Sequence, residues 1–276
     1  MSTPFYGLPT LRLENEYLKL DVLAEAGPRI VRMRLPGREE NVFAEVPNFV
    51  VGDFHFRGGH RLWHSPETSP RTYAPDDSGL QVERYADGLK LTAPVEATTG
   101  IRKEIEIRLN PQRAGAQLTH RLTNEGLWAV ELAPWSLTML PPGGRAVLPL
   151  PVGNADPFGL LPNRRLALWP YSRFDDPRVT WRDDAIEIHA VAGPTPFKIG
   201  YFSTAGWMSY ERNGVLFRKH FPIVPDAPHA DFGCNAECYS GNEFIELESL
   251  GPLAQIQPGA TVTHTETWEV EFTKAG

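Results

Sequence analysis

The sequence predicts an all-β protein in which many short antiparallel strands build a sandwich or barrel. Three observations carry that prediction: a hydrophobic period of two in segment after segment, turn signals between the segments, and no long window with a helical period. The chain has 276 residues, of which 24 are Gly and 26 are Pro, a composition that disfavours long helices. Residues 17–24 and 29–35 read as an opening strand pair around Ala26-Gly27-Pro28. From Ile101 to Leu109, Ile101, Lys103, Ile105, Ile107 and Leu109 alternate with Arg102, Glu104, Glu106 and Arg108. Successive side chains leave a strand on opposite faces, so this is a strand with one wet face. Residues 118–122, 145–150, 185–191 and 244–248 follow the same rule. In the closing segment, Val262, Trp268, Val270 and Phe272 share a face against Thr261, Thr263, Thr265, Thr267, Glu269 and Glu271. Asn110-Pro111, Asn124-Glu125-Gly126, Pro141-Pro-Gly-Gly144 and Gln257-Pro258-Gly259 supply turns.

No low-complexity linker divides the chain, and a single domain over residues 1–276 is expected. The formal net charge is −7 with no basic block, which disfavours nucleic acid and anionic lipid as partners. No apolar run reaches the ~18 residues of a membrane-spanning helix. The opening Met1-Ser-Thr-Pro-Phe-Tyr6 has neither the basic start nor the apolar run of a secretory signal, so a soluble, cytoplasmic protein is expected. Two cysteines, Cys234 and Cys238, make no disulfide framework and a poor zinc site; they read as reduced thiols beside a loop. Phosphate-binding glycine loops, G-x-S-x-G and H-E-x-x-H are missing, which leaves nucleotide and serine-hydrolase readings without support. No cofactor is expected.

Polar residues on faces that should be dry carry the functional information. In Phe244-Ile-Glu-Leu-Glu-Ser-Leu250, Glu246 and Glu248 share a face with Phe244 and Leu250, whereas Ile245, Leu247 and Ser249 share the other. Inward carboxylates cost several kcal/mol unless paired, so they imply a site; the alternative has Ile245 and Leu247 inward and both glutamates in water. His264 and Glu266 pose the same question on the face of Trp268, as a functional pair or a satisfied structural one.

Gly58-Gly-His-Arg-Leu-Trp-His64 is a second constellation. Glycines permit close backbone approach to a ligand, Arg61 offers a fork of donors and Trp63 an apolar platform, the chemistry a sugar requires. His55, His60 and His64 also admit a metal reading, although the H-x₃-H spacing wants a helix that the glycines and Pro66 oppose. Lys198 and Lys219 are isolated cations in apolar settings, either contacting an anionic group on a ligand or neutralising the glutamates.

These residues resemble the galactose mutarotase-like superfamily, which contains the aldose 1-epimerases, and within it a bacterial branch. The resemblance rests on Asn15-Glu-Tyr through Gly27-Pro-Arg-Ile30, on Gly58-Gly-His-Arg-Leu-Trp63, and on Ala133-Pro-Trp-Ser-Leu-Thr138 with Trp169-Pro-Tyr171. Phe244-Ile-Glu-Leu-Glu-Ser-Leu-Gly-Pro252 and Thr265-Glu-Thr-Trp268 complete it, so that it spans nearly the whole chain. It implies a large antiparallel β-supersandwich of the galactose mutarotase type, with a small-molecule carbohydrate held on one concave sheet. It further implies aldose 1-epimerase-like isomerase chemistry at the anomeric carbon, with Glu248 as base and Glu246 as the second candidate. Arg61, His60, Trp63, His64, Trp135 and Lys198 are the expected substrate-binding set. One departure stands out: the family's Leu-Thr-Asn-His motif is Leu122-Thr-Asn-Glu125 here, so the usual acid histidine is missing. His60, His64, His120 or Lys198 could replace it if folding brings one of them opposite Glu248; His120 leads by chain position, although Leu118 and Leu122 share its face, which suits a buried structural histidine equally well. A carbohydrate-binding protein without catalysis is the alternative.

Overall fold

The computed structural model describes residues 3–193 and 195–273. Among them, strands form two ten-stranded sheets and a separate two-stranded hairpin, antiparallel throughout. The only helical turn among the described residues is the 3₁₀ segment Arg71–Tyr73. The first sheet runs Thr10–Glu14, Lys19–Leu23, Arg29–Arg34, His60–Ser65, Val130–Leu140, Ile245–Leu250, Ala236–Ser240, Phe197–Tyr201 and Leu166–Leu168, with Ala254–Ile256 added beside Val130–Leu140. In the second, the long strands Ile101–Leu109, Gly115–Asn124 and Thr261–Phe272 lie side by side.

The two sheets pack through one apolar layer, to which Leu62, Leu140, Ile199 and Leu247 contribute from the first sheet and Ile105, Leu118, Phe217 and Trp268 from the second. Ile101–Leu109 buries its apolar face as the alternation predicts, and Lys103 is carried inward with it. The reverse face of the first sheet carries a second cluster, in which Trp63, Trp135, Leu137, Met139 and Leu250 meet Phe54 and Phe56 of the hairpin Glu45–Val51/Phe54–Gly58. The central strands of this sheet are therefore covered on both sides, and His60–Ser65 and Ile245–Leu250 are buried along their whole length.

Gly58 and Gly59 turn the chain from the hairpin into the sheet at φ +97° and +69°. A Cβ at Gly58 would lie 2.0 Å from the Ala44 carbonyl oxygen, and one at Gly59 2.0 Å from that of Ile30. The close approach that these glycines permit is thus to neighbouring backbone, where the sequence suggested a ligand.

Candidate functional site

Three adjacent strands, His60–Ser65, Val130–Leu140 and Ile245–Leu250, set the floor of a cleft on the hairpin side. Their register aligns Trp63 with Trp135 and Leu250, and Arg61 with Leu137 and Glu248. Two further strands extend the second row: Glu237 lies directly opposite Glu248, and Gly200 opposite Glu237. Gly200 matters because a Cβ there would stand 3.3 Å from Glu237 Cγ and 2.7 Å from Cys234 Sγ. The cleft encloses about 320 Å³, within the range of small-molecule sites. Phe49, Phe56, Tyr73, Tyr171, Tyr239 and Phe244 wall it. Arg61, Trp63, Trp135, Lys198, Glu246 and Glu248 line it together.

The charges on this floor are paired and nearly dry. Arg61 donates from Nη1 to Glu246 Oε1 at 2.7 Å, and its guanidinium lies 4.1 Å from the Trp63 ring centre and 4.9 Å from that of Phe56. The opposite edge of the guanidinium, Nε and Nη2, has no hydrogen-bond partner among the described residues, although Arg61 is only 2% exposed. Glu248 Oε2 accepts from Trp135 Nε1 at 2.9 Å and from Lys198 Nζ at 3.0 Å, while its Oε1 has no hydrogen-bond partner among the described residues. Lys198 also meets Glu237 Oε2 at 2.8 Å and sits between the rings of Trp135 and Trp169, 4.7 and 4.5 Å from their centres.

Burial pushes the Glu248 carboxyl up, against the pull of Lys198. Burial pushes Glu237 well above the usual carboxylate range for the same reason. Burial alone would lower Lys198, but Glu237 and Glu248 outweigh it and hold the ammonium well above the usual lysine value. At the mouth of the cleft the Tyr73 hydroxyl donates to Glu67. The segment that follows is tied down by Asp76, which accepts from Arg29 at 2.9 and 3.0 Å and from Arg57 at 3.2 Å.

The three histidines assigned to the site by sequence lie elsewhere. Along His60–Ser65 the side chains alternate, so placing Arg61 and Trp63 in the cleft sends His60, Leu62 and His64 to the other face. His60 bonds Thr138 Oγ1 at 2.9 Å and His120 Nε2 at 2.8 Å between the sheets. His120 reaches the His264 carbonyl at 3.1 Å and is fully buried, with its pKa lowered to about 4 by burial. His64 meets Glu96 at 3.1 Å. Burial raises the Glu96 carboxyl, but Lys103 and His64 prevail and draw it down to about 2. His55 faces Asp77 at 3.3 Å, so the three histidines of this segment diverge and do not converge on a metal.

The inter-sheet residues form a polar network of their own. Ser249 Oγ contacts His264 Nε2 and Glu266 Oε1, each at 2.6 Å, Lys219 Nζ meets Glu266 Oε1 at 2.6 Å, and Trp268 Nε1 donates to Glu266 Oε2 at 2.8 Å. His264 and Glu266 thus face inward and are satisfied through Ser249. His60, His120 and Glu266 bring ligand atoms within 4.8 Å of one another. A cation held there would lie against the Lys219 ammonium, and both Glu266 oxygens already have donors, so this donor set suits a closed network better than a metal.

Sequence reasoning missed Glu237, which lies in the segment read as thiols beside a loop but is strand Ala236–Ser240. Tyr73, Tyr239 and the hairpin aromatics were also missed. The single available signal was alternation: Glu237 and Tyr239 share a face, with Cys238 opposite.

No protein-family model matches the chain, and a search of curated proteins finds no match. Solved structures do match it. A TPR-domain containing protein from Parabacteroides distasonis aligns with TM-score 0.64 and 14% identity over 98% of this chain, which spans 48% of that protein. A galactose mutarotase-like protein from Lactobacillus casei aligns with TM-score 0.61 and 12% identity, over 95% of this chain and 100% of the other. A galactose mutarotase related enzyme from Lactobacillus acidophilus gives TM-score 0.55 and 8% identity, over 96% and 98%. The chain has the galactose mutarotase-like fold.

Proposed function

We propose that the protein binds a monosaccharide or sugar derivative in this cleft and interconverts its anomers, with Glu248 as the base. The observation that carries the reading is the state of that carboxylate: Glu248 lines the cleft, its Oε2 is fixed by Trp135 and Lys198, and its Oε1 has no hydrogen-bond partner among the described residues. A dry carboxylate held by one oxygen, its carboxyl pushed up by burial, is a better proton acceptor than a carboxylate in water. It removes the proton of the anomeric hydroxyl; the C1–O5 bond breaks as O5 takes up a proton, and the free aldehyde recloses on its other face. Arg61 and the rings of Trp63 and Trp135 supply the donor fork and apolar platforms that position the sugar.

The test is polarimetry, or NMR exchange, on a panel of freshly dissolved aldoses. Glu248→Gln is expected to slow anomer exchange by about 10²–10⁴-fold, with sugar affinity within a few-fold of wild type. A variant that exchanges anomers at the wild-type rate removes Glu248 from the mechanism. One observation favours a second reading, a sugar-binding protein without turnover: among the described residues no histidine lines the cleft. That reading predicts saturable monosaccharide binding, lost in Trp63→Ala, and no acceleration with any aldose.

A further inference from the structure

We propose that Lys198 is the acid that protonates the ring oxygen, and that Glu237, buried behind it, is a positioning residue that holds an extra proton in the cluster. The inference rests on the reading of Glu248 as base. Its origin is a feature that a structural ion pair does not need. Glu237 and Glu248 are directly opposed across neighbouring strands, an arrangement that is destabilising for two like charges. One ammonium serves both carboxylates, at 2.8 and 3.0 Å, and all three groups are nearly excluded from water. Glu237 Oε1 has no hydrogen-bond partner among the described residues. The other charged groups near the cluster are Asp231 on the side of Glu237, and Glu246 with its partner Arg61 on the side of Glu248.

Two ionised carboxylates on one ammonium leave a net negative charge in a dry site; a proton on Glu237 makes the cluster neutral. From that state the steps balance. Glu248 Oε1 takes the proton of the anomeric O1–H, which leaves the cluster one positive charge in excess. Lys198 then loses the carboxylate that held its proton, and transfers that proton to O5 as the C1–O5 bond breaks and its electron pair moves to O5. The cluster is neutral again, and O1 is the oxygen of a carbonyl group. After rotation about C1–C2, the open chain closes by the same transfers in reverse, and no co-reactant is consumed. Gly200 and Trp169 fit this role, the first by leaving space for Glu237 and the second by holding the Lys198 head against Trp135.

Two variants and one spectrum test the proposal in the full chain. Lys198→Arg retains a buried cation for folding and binding but is a far weaker acid; its kcat for aldose anomer exchange is expected to fall by about 10²-fold or more, with KM within a few-fold. In the wild type, kcat is expected to fall as rising pH ionises Glu237 and tightens its hold on Lys198. Glu237→Gln, neutral at every pH, is expected to abolish that alkaline fall. The difference infrared spectrum between wild type and Glu237→Gln should show the carbonyl stretch of a protonated carboxyl group near neutral pH. Lys198→Arg at the wild-type rate, or a Glu237→Gln variant with an unaltered pH profile and no such band, overturns the proposal. A wild-type protein that exchanges no anomer overturns the epimerase reading and the acid role of Lys198 together, and the infrared band still decides whether Glu237 carries the proton.

Discussion

Arg61 illustrates how much a single side chain decides in this cleft. Its Nη1 neutralises Glu246 and its face lies on Trp63, yet the Nε and Nη2 edge is left as a parallel pair of donors in a nearly dry setting. Buried donors without partners are costly, so a ligand that brings two acceptors to that edge, as vicinal hydroxyls do, recovers the deficit. Truncation to alanine would confuse the test, because Glu246 would remain buried without a counter-charge, at a cost of about 3–5 kcal/mol. Arg61→Lys keeps the charge but loses the fork and the stacking. It is expected to weaken monosaccharide binding about tenfold, or about 1.4 kcal/mol, while the melting temperature changes little. Calorimetric titration reads this directly, and unchanged affinity would show that the guanidinium edge makes no ligand contact.

At the scale of the element, one rule explains both what sequence reasoning captured and what it mislaid. Period two placed Glu246 and Glu248 on one face of Ile245–Leu250, and that face is the cleft. The same rule applied to Gly58-Gly-His-Arg-Leu-Trp-His64 separates His60 and His64 from Arg61 and Trp63. It was obscured there because polar and aromatic residues occupy both faces, so no hydrophobic rhythm marks the segment as a strand. Glu237 was hidden for a similar reason: the cysteines around it drew a reading as thiols, and the buried strand Ala236–Ser240 has no wet face to reveal its period. His120 was legible as half of an alternative, since Leu118 and Leu122 beside it pointed inward. The glycines were recognised as places of close approach, but what approaches is backbone. Gly59→Ala is therefore expected to destabilise the protein, since the positive φ alone costs about 1–3 kcal/mol and the contact with the Ile30 carbonyl adds to it. A urea midpoint equal to that of the wild type would contradict this account of the turn.

For the molecule as a whole, the polar network between the sheets sets the response to acid. Burial lowers His60 well below the usual value of 6.5, His120 to about 4 and His264 to about 3. Because these folded-state values lie below the unfolded one, the unfolded chain binds more protons in the interval between them. Stability is then complete above about pH 6.5 and declines as pH falls towards 4. Glu237 and Glu248, raised in the folded state, act in the opposite direction as pH falls towards the ordinary carboxylate value. Burial lowers His64 as well, so four buried imidazoles stand against two carboxyls that share one lysine, and the balance is a loss. The melting temperature is expected to fall between pH 6.5 and 4, and more steeply in Glu237→Gln, where the opposing contribution is removed; thermal denaturation across that range checks both slopes. The hairpin Glu45–Val51/Phe54–Gly58 belongs to neither large sheet, yet it contributes Phe49, Val51 and Phe56 to the cleft wall. Substitutions in that hairpin alone would recontour the opening while leaving the paired carboxylates and lysine of the sheet untouched, so the shape of what enters can vary independently of the charges that await it.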